Sequence, residues 1–531
     1  MLTKTGGLLC IAMAALALGG CGHDSQTSTV ASSNQRGTLV DDPPIRTASL
    51  NASALAAELS ASASGQALER LAGTPTCGVD VYYVKYWTEA PDHSPQMASA
   101  ALMVPTGTSA PCTGPRPIVM YAHGTATDST YNLADISDAT NAAYGESAMI
   151  AAVFAAQGDI VVAPNYLGYD ISTLGYHPYV DGAANAIDMI DALAAARKAR
   201  LSTFTPNTSD DGKLYITGYS EGGYVAMATV KAMQAAGDTV TASAPSSGPY
   251  ALEALGDALM FGQVDIGATV FAPLITTSYQ HAYNNVYSQT SDVYSSTYAT
   301  GIDTLLPSTT PLTTLFQDGK LPETALFDST TPTSSTGIAA VDAAADALLA
   351  EPSSAQYGAL AALFDLGFGN PYLVNNSYRV AYVDDAVVNP DQAEMSLIQN
   401  PTAPLTSSDV ALAAAPSVGL RQDLKLNDMR NGGWMPEEPM LLCGGDQDPT
   451  VFFENTEIMT AQWSSLLGTL VDMLDLNGTP SGQFAPLQSA FQQTYAGLVS
   501  ADGAAAALQA YHTTETPFCM VAARDFFAQV P

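Results

Sequence analysis

Five short apolar runs punctuate this 531-residue chain, each ending in glycine or polar residues: PIVMYAHG (117–124), IVVAPNYLG (160–168), KLYITGYS (213–220), VTASAPSSG (240–248) and MLLCGGDQD (440–448). Helical patterns such as VDGAANAIDMIDALAAARKA (180–199) and GGYVAMATVKAMQAAG (222–237) lie between the early runs. A strand that is apolar along its length must be covered on both faces, and parallel neighbours need long crossovers. The alternation therefore predicts an α/β class with a mostly parallel central sheet and helices on both faces. Ligands in such sheets bind beyond the carboxyl ends of the strands, so the residues that end these runs are where chemistry is expected.

Two other runs read differently. VDVYYVKYW (79–87) and MASAALMV (97–104) are expected to form antiparallel strands joined by a polar, proline-containing turn. Asn51 to Leu71 reads as one alanine-rich helix. About 190 residues separate Pro249 from Pro439, far more than a plain crossover needs. Residues 250–435 are accordingly expected to be an inserted, mainly helical cap, with the core formed by 49–249 and 436–531. Tyr279, Tyr283 and Tyr287 recur at helical spacing and are assigned to the core of the cap rather than to a binding cleft. A second, smaller insertion is expected between Glu454 and Ala506.

The first 20 residues have the layout of an export signal, with Lys4 before a short apolar stretch, Gly6 to Gly20. Leu18-Gly19-Gly20-Cys21 resembles a bacterial lipobox, which implies a lipid on Cys21 and a flexible tether over 21–48. With 51 acidic and 17 basic residues the formal net charge is −34, which argues against nucleic acid and against anionic bilayer surfaces as partners. Once Cys10 leaves with the signal and Cys21 is lipidated, Cys77, Cys112, Cys443 and Cys519 remain. An even number in an exported chain predicts two disulfides. Of the three pairings, Cys77–Cys112 across the hairpin region with Cys443–Cys519 is favoured.

LYITGYSEGG places Ser220 between an apolar strand entry and a helical pattern, flanked by Gly218 and Gly222. Gly-x-Ser-x-Gly in that setting is the pattern of a nucleophile elbow. Serine needs a base, and the base needs a carboxylate to orient it. In the α/β-hydrolase arrangement the order along the chain is serine, acid, histidine. Asp446 and Asp448 both follow the last apolar run, and His512 is the only histidine after them. Of the others, His23 falls in the tether, His93 in the hairpin turn, His281 in the cap and His177 just before a helix, where a structural role is expected. His123-Gly124 ends the first apolar run.

Taken together, YAHGT (121–125), APNYLGYD (163–170), GYHPYVDG (175–182), GYSEGG (218–223), NGGWMPEEPMLLCGGDQDPTVFFENTE (431–457) and YHTTETPFC (511–519) resemble the α/β-hydrolase superfamily, and within it the secretory lipases and related capped bacterial esterases. The resemblance implies an α/β-hydrolase fold and cleavage of carboxylic esters by Ser220, Asp448 and His512. Asp448 is preferred over Asp446 because Gly445, Asp448 and Val451 match the family's Gly-x-x-Asp-x-x-Val register. It implies backbone N–H donors for the oxyanion from Thr125 and Glu221. Asn165 stands where the family usually has aspartate, and Asp128 lies near the loop where some secretory lipases place an oxyanion-hole aspartate. No phosphate-binding loop, dinucleotide fingerprint or zinc-ligand spacing is present, so neither cofactor nor metal is expected, and the substrate is a small-molecule or lipid ester. The same triad would serve a serine peptidase, and a catalytically silent binding protein on this fold is the remaining alternative.

Overall fold

The computed structural model describes residues 35–203, 208–401 and 403–531. The apolar runs and the expected hairpin become strands of one nine-stranded sheet. These are β1 (Ile45–Leu50), β2 (Gly78–Glu89), β3 (Pro95–Thr106), β4 (Gly114–Ala122), β5 (Ile160–Pro164), β6 (Thr208–Tyr219) and β7 (Ala242–Ser246). Two two-residue strands follow in the cap, β8 (Phe327–Asp328) and β9 (Phe368–Gly369), before β10 (Met440–Gly444) and β11 (Val471–Asp475) complete the main sheet. The order across that sheet is β1-β2-β3-β5-β4-β6-β7-β10-β11. β1, β2, β3 and β5 pair antiparallel in turn, and every pairing from β5 to β11 is parallel.

Strands β5, β7 and β10 are buried along their whole length, as short strands in a covered sheet must be; β5 and β10 are apolar throughout, and β7 carries the small buried Ser243 and Ser246. Helices Gly182–Thr203 and Glu221–Ala236 pack on each other and on the sheet. A second group, Ala63–Ala72, Tyr144–Val153 and Tyr511–Phe527, packs together, and Tyr511–Phe527 also lies along β6, β7 and β10. The hairpin β2–β3 runs in continuous register from Gly78↔Thr106 to Glu89↔Pro95. Its turn is closed by Ser94 N–H donating to Asp92 Oδ1 at 2.9 Å.

Residues 250–435, between β7 and β10, are mainly helical. Buried ion pairs lock this cap: Arg421 binds Asp257 through two bonds of 2.7 Å, and Arg430 binds Asp428 at 2.7 Å and Asp391 at 2.8 Å. Tyr279 is fully buried, and Tyr283 and Tyr287 pack partly buried on the same core, although the helix ends at Tyr283 and Tyr287 lies in the segment beyond it. Both expected disulfides are formed, Cys77–Cys112 and Cys443–Cys519. Among the described residues no helix is long and apolar enough to cross a membrane. The export signal, Cys21 and His23 lie outside the described residues.

Three expectations are corrected. The tether gives way to folded structure well before residue 48. Arg36 binds Asp191 at 2.9 Å and Glu89 at 3.1 Å, and β1 pairs with β2. β1 is an edge strand whose residues are mostly exposed, so its polar sequence reads like a linker. The alanine-rich helix is two helices, Ala52–Ser60 and Ala63–Ala72. Ser62 breaks it by accepting from Gly65 N–H at 3.0 Å, and a Cβ on Gly65 would lie 2.2 Å from Leu59 O. The segment 454–506, expected to be an insertion, contributes β11 to the sheet. As the opposite edge, β11 is only partly covered, so VDMLD lacks the continuous apolar signal of its neighbours.

Candidate active site

The register of the parallel strands brings several carboxyl ends to one line, with Tyr219 opposite Ser246 and Ser246 opposite Cys443. Ser220 follows at once and takes φ 61°, ψ −127°, after which helix Glu221–Ala236 begins. A non-glycine residue in this region costs roughly 1–3 kcal/mol and needs neighbours that enforce it. The enforcement is steric and hydrogen-bonded. A Cβ on Gly218 would lie 2.3 Å from Gly222 O, and one on Gly222 would lie 2.0 Å from Ala122 O. Ser220 N–H donates to Ser246 O at 3.1 Å, while Ser220 O accepts from Gly223 N–H at 2.9 Å. The glycines of the motif therefore let the turn pass against β4.

His512 lies in the first turn of helix Tyr511–Phe527, and Asp448 lies in the loop after β10. His512 Nδ1 and Asp448 Oδ2 are 2.6 Å apart. Asp448 Oδ1 accepts from the N–H groups of Thr450 (2.9 Å) and Val451 (3.3 Å). Among the described residues His512 Nε2 is buried without a hydrogen-bond partner. Ser220 and His512 line one cavity of about 730 Å³, together with Gly124, Thr125, Val270 and Phe271. Asp446 does not reach His512. It is exposed, and its N–H donates to Asp475 Oδ1 at 3.2 Å. The Cys443–Cys519 bridge joins the strand before Asp448 to the helix that carries His512.

Thr125 lines the cavity, and its Oγ1 is 2.8 Å from the Tyr179 hydroxyl. Among the described residues, the N–H groups of Thr125 and Glu221 have no hydrogen-bond partner. The neighbouring Gly124 N–H donates to Glu146 Oε1 at 3.2 Å, and Glu146 also accepts from the hydroxyls of Tyr121 and Tyr131. Glu221 turns its carboxylate away from the cavity to His177 Nε2, at 2.6 Å, and His177 Nδ1 is 2.7 Å from Leu167 O. His123 is fully buried, stacked on Tyr166 with ring centres 3.9 Å apart, and burial lowers its pKa.

Asn165 braces the same wall. It accepts from Leu133 N–H at 2.8 Å and donates to Ser99 Oγ at 2.9 Å. Asp128 closes its own turn through Thr130 N–H at 2.8 Å. His93 is exposed, and His281 stacks on Tyr176 with ring centres 3.9 Å apart.

Two residues at the site were not legible as site residues. The Tyr219 hydroxyl, one position before Ser220, donates to Glu515 Oε1 at 2.6 Å and lies 3.2 Å from His512 Nδ1. Glu515 follows His512 by three residues on one helix, and that spacing puts both on the same face. Asp448, His512 and Glu515 are the one group of possible metal ligands among the described residues, with candidate atoms within 4.8 Å of one another. Their donor atoms are largely committed to each other and to hydroxyl groups, which is a poor starting point for an ion.

No family model matches the chain, and no curated protein matches it in sequence. Solved structures do. The chain is similar to the rice cell wall degrading esterase LipA from Xanthomonas oryzae, with 24% identity over 93% of this chain and 100% of that one, at a TM-score of 0.63. It is also similar to a proposed hydrolase from Legionella pneumophila, with 19% identity over 93% of this chain and 98% of that one, at a TM-score of 0.58. These likenesses and the sheet topology establish an α/β-hydrolase fold with a helical cap.

Proposed function

We propose that this protein hydrolyses carboxylic esters through an acyl-enzyme on Ser220. The observation that carries the reading is the joint placement of a strained Ser220 and an unpartnered His512 Nε2 on one cavity, with His512 Nδ1 held by Asp448 at 2.6 Å. In this reading Ser220 Oγ attacks the acyl carbonyl while His512 Nε2 takes its proton. His512 returns the proton to the leaving alcohol, then activates the water that releases the acid. Asp448 fixes the Nδ1–H tautomer and stabilises the imidazolium without taking the proton. The free N–H groups of Thr125 and Glu221 are the donors for the oxyanion, and losing one such donor typically costs ~10²–10³ in turnover. A largely apolar cavity of about 80 Å³ lies in the cap, and Phe271 lines both it and the Ser220 cavity. That wall suits the apolar part of an ester.

The disulfides fit an oxidising compartment, and with the leader they support export from a bacterial cell with lipid attachment at Cys21. A Cys21→Ser variant should then leave the membrane fraction. The activity is tested with p-nitrophenyl esters of increasing acyl length, using wild type and Ser220→Ala. Hydrolysis that survives the substitution would overturn the role of Ser220. Cleavage of aminoacyl-anilides without ester hydrolysis would mark a peptidase. A protein that resists fluorophosphonate labelling at Ser220 would be a binding protein.

A further inference from the structure

A second carboxyl group stands behind the Asp448–His512 pair. Glu515 is fully buried. Its Oε1 accepts two hydroxyl protons, from Tyr219 at 2.6 Å and from Ser247. Its Oε2 is buried and has no hydrogen-bond partner among the described residues. That oxygen lies against the turn that carries Asp448: a Cβ on Gly445 would come within 2.7 Å of it, and Asp448 N–H donates to Gly445 O at 3.1 Å. Candidate ligand atoms of Glu515, Asp448 and His512 all lie within 4.8 Å of one another.

The groups facing Glu515 come from every element around it. They are Asp448 from the loop after β10, Tyr219 from β6, Ser247 and Tyr250 after β7, and Tyr511 and His512 from its own helix. Among the described residues no lysine or arginine pairs with it. Two ionised carboxylates this close, sharing one imidazole and no other cation, repel each other in a medium that screens poorly. Asp448 already uses both oxygens to accept, one from His512 and one from two backbone N–H groups. Glu515, with one oxygen saturated by donors and one bare, is the member of the pair built to carry a proton. Burial first, and the neighbouring Asp448 second, push its pKa well above the usual carboxylate range.

We propose that Glu515 is a positioning residue for ester hydrolysis: a neutral carboxylic acid whose Oε2–H is directed at the Asp448 carboxylate and holds it against His512. This rests on the Ser220–His512–Asp448 reading of the site. One helix then supplies both the base and the group that steadies its acid, at His512 and Glu515. The Tyr219 hydroxyl, which donates to Glu515 and whose oxygen also lies 2.6 Å from His512 O, ties the two to the strand that delivers Ser220.

The test is steady-state ester hydrolysis across pH by wild type, Ser220→Ala, Glu515→Ala and Glu515→Gln. Glu515→Ala is expected to lower kcat about 10- to 100-fold with KM nearly unchanged, because the group acts through Asp448 and not on substrate. Glutamine can accept from the two hydroxyls and donate to Asp448, so Glu515→Gln should recover kcat to within about threefold of wild type. The acid limb of its kcat/KM profile should coincide with that of wild type. An ionised Glu515 would instead support the His512 imidazolium, and removing that charge would move the acid limb down by about one pH unit or more, which would overturn the proposal. Wild-type kcat in Glu515→Ala would overturn it equally. The acid limb of the isosteric Glu515→Gln decides the matter even if the alanine variant does not fold. Activity persisting in Ser220→Ala would defeat the reading of the site itself. An inactive Ser220→Ala beside an unaffected Glu515→Ala would defeat only the role of Glu515.

Discussion

Two histidines of this protein sit in buried pairs with a carboxylate at the same 2.6 Å, His512 with Asp448 and His177 with Glu221. Both lie within the region around Ser220, and in each pair the carboxylate follows a strand of the central sheet, Glu221 as the first residue of the helix after β6 and Asp448 in the loop after β10. The difference is the second ring nitrogen. That of His177 is 2.7 Å from Leu167 O, so both of its nitrogens are engaged and the ring is a strut. That of His512 has no partner and lies at the cavity shared with Ser220. A histidine–carboxylate contact is therefore no signature of catalysis by itself. What distinguishes a base is a ring oriented at one nitrogen and left open at the other.

The contrast is broken most directly by removing the rings. His512→Ala is expected to lower kcat on a p-nitrophenyl ester by about 10⁴- to 10⁶-fold with little change in Tm. His177→Ala should lose less than about tenfold, and a loss equal to that of His512→Ala would erase the distinction. The acids come next. Asp448→Asn should cost about 10⁴ in kcat by favouring the wrong tautomer of His512, as measured by steady-state kinetics. Asp446→Asn, whose side chain does not reach His512, should stay within about threefold of wild type.

Stability separates the two pairs in another way. The His512–Asp448 pair is spanned by a disulfide that closes 76 residues, and among the described residues no bridge spans the other pair. Replacing Cys443 and Cys519 by alanine should cost about 4.5 kcal/mol on a chain-entropy basis, read as a lower urea midpoint. His177→Ala leaves the buried Glu221 carboxylate without its partner and should cost about 1–3 kcal/mol in the same measurement. An unchanged midpoint would remove its role as a strut.

The smallest effect is on pH dependence. Asp188 accepts from Leu167 N–H at 3.1 Å, behind the His177 pair, and burial raises its carboxyl to about 7. Burial likewise raises Asp159 to about 7, and raises Glu253 in the cap and Glu454 at the start of the helix after β10. These folded-state values lie above the unfolded ones. The folded chain therefore holds protons that the unfolded chain releases, and stability falls as pH rises from about 4 through 7. Calorimetry should give a Tm at pH 8 a few degrees below that at pH 5, and the opposite order would contradict these assignments.

The sequence itself determined much of this. Largely apolar runs announced β4, β5, β6, β7 and β10, because strands covered on both faces favour apolar or small residues. The glycines around Ser220, the order of Ser220, Asp448 and His512, and the two cysteine pairings were legible for similarly local reasons. The edge strands β1 and β11 were missed because an edge is only half covered and shows no such run. Other features depended wholly on tertiary structure. Nothing within a few residues of Glu515 tells that it meets Tyr219, 296 positions away, or that Oε2 stays bare. Nothing near Glu221 tells that its carboxylate is spent on His177, 44 positions away, leaving only its N–H for the cavity. Local periodicity reports how a segment is covered, whereas the partner of a buried polar atom is chosen only when distant strand ends and helix faces close on one another.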